Sequence, residues 1–578
     1  MNLLLVTILL PLAGAVLISL LYRQGQVTAR WIALVCSGVT LILTAWLVAT
    51  DHVTPFEHAW LPSSSIDIRF SVGLDGLGLW MFALSALLTV TGVLVSWEDI
   101  KDRAPAFYAL LLLLETGLLG VFTARDIILF YIFFEFTLIP LFFLIGIWGH
   151  EERRYAAMKF FLFTLAGSML TFLGLLAIVL WNFYAAEPGH RVLTFFIPEL
   201  IKGLELHPVD PRVQLWIFLA LFAGFAIKVP LFPLHTWLPL AHVQAPTAGS
   251  VDLAGILLKI GTYGFLRFSM PLLPEATVLC MPWILWLAVA GIIYGALVAL
   301  AQTDMKRLIA YSSVSHLGFC MLGMFALNDL GVKGGVLQMI NHGISTGGLF
   351  ALVGMIYERY HTREIGQLSG LARRTPWLAA FMLIFTLASI GLPGTNGFVG
   401  EFMILMGMFQ RGWASAPDVW ALQWKVISVV AVLGVVLGAW YMLWLIERVF
   451  FGPLRETEHK PGDPPVQDLK PREILALSPL VVFIFWIGLQ PQYFLERMNP
   501  ELDNVATIVS DAFDKKYGLP EVKAAAIKPV PATGTPTDVG KGQVPSAKVG
   551  WLGASSARPQ APLREEALPV EGGVARVD

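Results

Sequence analysis

Apolar runs of about 20 residues, the length a helix needs to cross a bilayer core, recur along most of the chain with short polar stretches between them. They fall near residues 2–22, 30–50, 76–97, 106–123, 127–147, 157–182, 213–239, 245–268, 277–301, 306–326, 332–357, 377–410, 422–450 and 474–493. The pattern predicts an all-α polytopic membrane protein of about fourteen transmembrane helices. An even count puts both termini on one side. The first run starts at Leu3, and Arg23 and Arg30 follow it rather than precede it, so a retained helix is expected and not a cleaved leader. Lys and Arg in the loops that follow odd-numbered helices, and at the helix ends beside those loops, outnumber those after even-numbered helices eighteen to nine. By the positive-inside rule both termini are expected outside.

Two of the runs are broken. The seventh ends Lys228-Val-Pro-Leu-Phe-Pro-Leu-His-Thr-Trp-Leu-Pro239, with Pro230, Pro233 and Pro239 close together. The twelfth contains Gly391-Leu-Pro-Gly-Thr-Asn-Gly397, with Pro393 and Gly394, and then continues apolar past Glu401. Proline removes an amide donor and clashes with the preceding turn. In a bilayer the freed carbonyls survive only where protein or water meets them. If helices 4–8 form one unit and 9–13 another, each break falls in the fourth helix of five. An odd count reverses the second unit relative to the first, as in transporters built from inverted repeats. The expected organisation is therefore 1–105 (helices 1–3), 106–270 (first repeat), 271–452 (second, inverted repeat) and 453–498 (a loop and helix 14). Residues 499–578 complete it as a Pro/Ala/Gly-rich disordered external tail, whose chemistry changes most clearly from Asp511.

Composition narrows the function. Of 578 residues 56% are apolar and only 14% charged, against about 25% charged in soluble domains, and mean hydropathy is +0.70. A soluble enzyme or nucleic-acid binder of this size could not cover its surface with so few charges. The net charge of −2 argues against a polyanionic partner. Cys36, Cys280 and Cys320 lie singly in apolar runs, without the spacing of a disulfide framework or a cluster. No Gly-rich phosphate loop or dinucleotide fingerprint occurs, and no His/Cys/Asp set has metal-ligand spacing.

What remains is a set of ionisable residues near mid-span: Glu115, Glu135, Lys228, Lys259, His316, His342 and Glu401. A charge there is costly and marks function by default. Helix association alone usually employs Ser, Thr, Asn or Gln. Glu135 has aromatic neighbours on both sides, and Lys228 stands just before the break at Pro230, where free carbonyls and water could receive it. Each needs a partner or loses its charge. A static ion pair is the plain alternative to a moving one, and the adjacent helix break favours movement. Lys259, in a Gly-rich stretch, suits a proton carrier that is intermittently charged; snorkelling to an interface is strained from mid-span. His316 follows Ser312 and Ser315, hydroxyls able to order water, and His235 lies inside the first break. Histidine exchanges a proton near neutral pH, although a hydrogen-bonded core histidine is the plain reading of His342. These groups move ions rather than make bonds.

The run Phe-Ala-Ile-Lys228-Val-Pro-Leu-Phe-Pro-Leu-His235-Thr-Trp-Leu-Pro-Leu-Ala-His242, continuing to Ala-Gly-Ile-Leu-Leu-Lys259, resembles the signature of the antiporter-like membrane subunits. Such subunits occur in respiratory complex I (NADH:quinone oxidoreductase), in multisubunit cation/proton antiporters and in membrane-bound hydrogenases. The resemblance covers roughly residues 1–495 and is greatest to the chain-M type of complex I, since the related L and N types are expected to carry Lys where Glu401 stands. It implies a proton-translocating subunit without a redox centre, driven by NADH-to-quinone electron transfer elsewhere, with FMN, iron–sulfur clusters and quinone in partner subunits. It implies chains L and N as neighbours, membrane lipid around the protein, and a bacterial plasma membrane with periplasmic termini ahead of a mitochondrial inner membrane. It also implies roles: Glu135 and Lys228 a coupled pair, Lys259 the central relay, His316 and His342 connecting groups, Glu401 the terminal carrier. The rival readings are a sodium/proton antiporter subunit, a hydrogenase subunit, and a structural spacer, which so many buried ionisable groups disfavour.

Overall fold

A computed structural model describes residues 2–50, 53–62, 65–189, 191–413, 421–456 and 466–517. The described chain is mostly helical. α1 (Leu3–Leu20) and α2 (Gln26–Ala49) lead to a hairpin of β1 (Phe56–Pro62) and β2 (Ile66–Val72). α3 (Gly76–Val95), α4 (Ala104–Val121), α5 (Ile127–Phe136), α6 (Leu138–Trp148) and α7 (Arg153–Ala185) follow. Next come β3 (Leu193–Thr194), α8 (Ile197–Leu206), α9 (Pro211–Lys228), α10 (Trp237–Gln244), α11 (Thr247–Asp252), α12 (Leu258–Gly264) and the single turn α13 (Met270–Leu272). The remainder comprises α14 (Pro274–Leu300), α15 (Met305–Met324), α16 (Asp329–Tyr360), α17 (Pro376–Ser389), α18 (Asn396–Trp413), α19 (Ala421–Phe450), α20 (Pro471–Leu489) and α21 (Pro491–Tyr517).

Eleven of these helices, α5 and α6 counted together, are long and apolar enough to cross a membrane. The other expected runs are helical too, but they are interrupted or carry too many polar residues. Side-chain caps fix several starts: Asp75, Asp126, Asp210, Asp304 and Asn328 each accept from an amide in the first turn. α16 sits at the centre, with its apolar stretch wholly enclosed by protein.

Both proline breaks are present, and each is satisfied internally. α9 stops at Lys228, and α10 resumes at Trp237. Across the gap the Leu231 amide donates to Ala226 O at 2.9 Å and the Trp237 indole to Ile227 O at 2.9 Å. The second break separates α17 from α18; there the Leu392 amide reaches Leu387 O, and Asn341 of α16 donates to Asn396 O at 2.8 Å. The run predicted over 245–268 is not a uniform α-helix. π-helical turns at Leu253–Leu257 and Phe265–Ser269 flank α12, and such bulges commonly mark functional positions.

One expectation is corrected, and one element was not predicted. The segment between the second and third helices forms a small sheet. β1 pairs antiparallel with β2, and β2 pairs parallel with β3, because residues 66–72 alternate apolar and polar with the period of a strand. Arg69 there bridges Asp67 and Glu199 at 2.8 and 2.6 Å. The expected disordered tail is helical over 499–517, where α21 continues through Pro500; residues 518–578 lie outside the described residues. α21 buries Phe494, Leu495, Met498, Leu502, Val505, Val509 and Phe513, a stripe at helical spacing. It runs across the bundle end where α3, α14 and α16 begin. The Trp80 indole donates to Phe494 O, Lys333 pairs with Asp503 at 2.6 Å, and the Arg411 guanidinium lies 3.7 Å over the Phe513 ring.

Full burial of each large side chain in that stripe is worth about 1.5–3 kcal/mol. A chain ended after Leu489 is therefore expected to fail to enter its membrane complex, whereas one ended after Tyr517 assembles normally. Blue-native electrophoresis of solubilised membranes distinguishes the two.

Candidate functional site

The buried ionisable residues fall into a connected series and two separate groups. The series begins at Lys259 on α12. Its ammonium donates to Ala254 O inside the π-helical turn and lies 2.6 Å from His342 Nδ1 on α16. Such a pair holds one proton at either end: a neutral imidazole accepts from the ammonium, and a neutral amine accepts from an Nδ1–H. The His342 ring lies 5.6 Å, centroid to centroid, from that of His316 on α15. His316 Nδ1 is 3.2 Å from Glu401 Oε1 on α18. Lys259, His342, His316 and Glu401 are thus consecutive neighbours, drawn from four helices and all buried.

Polar side chains hold Glu401 in place. Gln338 Nε2 donates to its Oε1 at 3.2 Å, and Asn341 Nδ2 donates to Gln338 Oε1 at 3.1 Å. Tyr441 OH lies 3.5 Å from His316 Nε2. The expected serines contribute less directly. Ser315 donates to Ile292 O and ties α15 to α14; Ser312 donates to Ile309 O and touches the series only through Tyr441. Gly391, in the second break, has φ +71°, and a Cβ there would lie 3.0 Å from Glu401 Oε2. A non-glycine residue in that backbone region costs about 1–2 kcal/mol, so Gly391→Ala is expected to lower the melting temperature of the complex and slow its turnover. Thermal inactivation and steady-state rates check both.

Glu135 and Lys228 form the second group, and they stand apart. No ion pair joins them among the described residues; one oxygen of Glu135 and the Lys228 ammonium have no hydrogen-bond partner. The ammonium instead lies 4.8 Å from the Phe134 ring centroid, a cation–π contact. Ser168 and Tyr131 are the hydrogen-bonding neighbours of Glu135. Glu135 and Lys228 lie within each other's electrostatic reach, without contact. His235 touches neither. Its ring stacks on Phe232 and meets the edge of Tyr294 on α14 at 5.1 Å.

Glu115 belongs to a third group with Asp252, a residue the sequence pattern did not single out. Gln338, Asn341, Tyr441, His242 and Lys306 were also missed. His242 is a buried histidine within the quoted motif, stacked on Phe350 at 4.4 Å. Lys306, at the start of the tenth run, is buried and donates to Ala245 O at 2.6 Å. An ionisable residue inside an apolar stretch was the available signal for Asp252 and His242; the amides give none. At the same bundle end, outside the spans, burial and then the nearby Lys306 and Arg363 charges press His150 down to about 3, so it stays neutral at working pH. No group of His, Cys, Asp or Glu able to hold a metal ion occurs among the described residues.

Residues 124–421 match the family model described as NADH:quinone oxidoreductase/Mrp antiporter, TM. The NADH-quinone oxidoreductase subunit M of Pseudomonas aeruginosa is 41% identical over 508 residues, covering 85% of this chain and 94% of the relative. The chain belongs to the subunit-M branch of this family. Among solved structures, a chain of respiratory complex I from Thermus thermophilus superposes with a TM-score of 0.75 at 34% identity, over 88% of this chain and 99% of that one. A chain of the Mrp complex from Dietzia sp. shares the fold alone, with a TM-score of 0.72 at 20% identity over 89% of this chain and 100% of that one. The site therefore sits in a multi-pass, antiporter-like membrane subunit of the NADH:quinone oxidoreductase type, a protein that works with partner subunits.

Proposed function

We propose that this chain is the subunit-M-type proton-translocating element of an NADH:quinone oxidoreductase, carrying protons along Lys259, His342, His316 and Glu401. The observation that carries this reading is the succession of buried protonatable neighbours from α12 to α18. A proton on Lys259 Nζ moves to His342 Nδ1 at 2.6 Å. A ring rotation or one bridging water passes it to His316, whose Nδ1 faces Glu401. Glu401 is the terminal carrier, with Gln338 and Tyr441 fixing the geometry. Glu135 and Lys228 act as the switch: closing the pair removes a positive charge from the field at Lys259, and opening it restores that charge.

α4–α13 and α14–α19 form two inverted units, each with one broken helix, in a protein of fourteen crossings with both termini periplasmic in a bacterial inner membrane. Chains of the L and N types flank it, and FMN, iron–sulfur clusters and quinone reside in the partner subunits of the redox arm. The test is to isolate the tagged chain in mild detergent. NADH-oxidising partners are expected to accompany it, and proton uptake by vesicles containing the complex should follow NADH oxidation without a sodium requirement. Recovery with antiporter chains alone, exchanging sodium for protons, overturns the reading.

A further inference from the structure

The ends of α15 and α18 meet at a buried cation that the proton series does not use. Arg411, in the last turn of α18, is buried, and its guanidinium donates through Nε to Ala326 O at 2.8 Å and through Nη2 to Leu327 O. Both carbonyls lie just past the C-terminus of α15, where the helix dipole favours a cation. Leu327 is held there with φ +50°, a region that L side chains rarely adopt unless their surroundings impose it. The Phe513 ring covers the guanidinium from α21 at 3.7 Å.

The same two helices also meet at His316 Nδ1 and Glu401 Oε1, 3.2 Å apart. Ten residues separate His316 from Ala326, and ten separate Glu401 from Arg411, about 15 Å along a helix in each case. The two contacts are therefore equally spaced rungs between helices that run in the same direction. The packing between the rungs is close. A Cβ on Gly323 would lie 2.7 Å from Ile404 Cγ1, and Asn328 Nδ2 donates to Gly407 O at 2.7 Å. A slip of one residue along α18 would carry Glu401 about 1.5 Å, enough to break its contact with His316.

We propose that Arg411 is a positioning residue for proton transfer: it fixes the register of α18 on α15 and so keeps Glu401 within reach of His316. Lysine is a poor substitute there. The planar guanidinium fork reaches two successive carbonyls at once, whereas an ammonium is a point charge on a flexible stem. The role rests on the reading of Glu401 as a proton carrier.

Coupled NADH–quinone turnover per assembled complex, in native membranes with assembly read on native gels, tests the role. Arg411→Gln is expected to lower that turnover about tenfold. Arg411→Lys, which keeps the charge beside α15 should the Gln variant fail to assemble, lowers it several-fold. Sites about 15 Å apart without shared partners normally contribute independently, so the deciding observation is the combination with Glu401→Asp. In the double variant the loss should fall well short of the product of the two single losses, because both changes act on one contact. Wild-type turnover per complex in the Arg411 variants, or a double variant that loses the full product, leaves Arg411 a structural anchor and overturns the proposal. If Glu401→Gln pumps normally, the carrier reading falls and the positioning role with it. If Glu401→Gln stalls while Arg411→Lys and Arg411→Gln turn over normally, only the positioning role falls.

Discussion

Lys259→Ala is expected to abolish proton translocation through this chain and to depress NADH–quinone turnover by tenfold or more, about 1.4 kcal/mol on the coupled barrier. The side chain bridges the π-helical turn to His342. Without its amine the series starts at an imidazole with no donor beside it. Lys259→Arg should fail nearly as badly for two reasons. A guanidinium does not give up its proton at accessible pH, and its wider planar fork must displace His342 Nδ1, which lies 2.6 Å from the lysine ammonium. Proton uptake by vesicles, measured beside NADH oxidation and with assembly checked on native gels, reads both variants. Normal stoichiometry in the Arg variant would show that position 259 needs a positive charge and carries no proton.

The parts of the site that were legible in the sequence are those set by local cost. An ionisable residue in an apolar run, or a proline inside one, violates a rule strong enough to be read residue by residue, and Lys259, Glu401 and both breaks were found that way. The connections were not legible, because they join residues far apart in the chain: Lys259 meets His342 across 83 positions, and Gln338 meets Glu401 across 63. Only the packing of α12, α15, α16 and α18 sets those distances. α21 was hidden for another reason. Its buried stripe is periodic, but Pro500 and a charged outer face lower its apolar content to that of a solvated segment.

The separation of Glu135 from Lys228 makes the distinction between a switch and a strut testable. A strut neutralises two buried charges by holding them together. Here they are apart, with the ammonium over Phe134 and without a hydrogen-bond partner, an arrangement that a purely structural pair would abandon for contact. Replacing both members of a strut by neutral residues of similar volume is often neutral or stabilising, whereas deleting one strands the other at a cost of about 3–5 kcal/mol. If the pair is a switch, its work is the changing field at Lys259. Glu135→Gln then cripples pumping while the complex still assembles, since glutamine keeps the volume and the bonds to Ser168 and Tyr131. Glu135→Asp retains part of the activity, because the charge remains on a shorter arm. The double variant Glu135→Gln/Lys228→Met assembles well and stays uncoupled. Proton uptake and NADH oxidation measured together in the three variants decide the matter: recovery of pumping in the double variant would leave only a strut, and none is expected, because no neutral pair can alternate the charge that Lys259 senses.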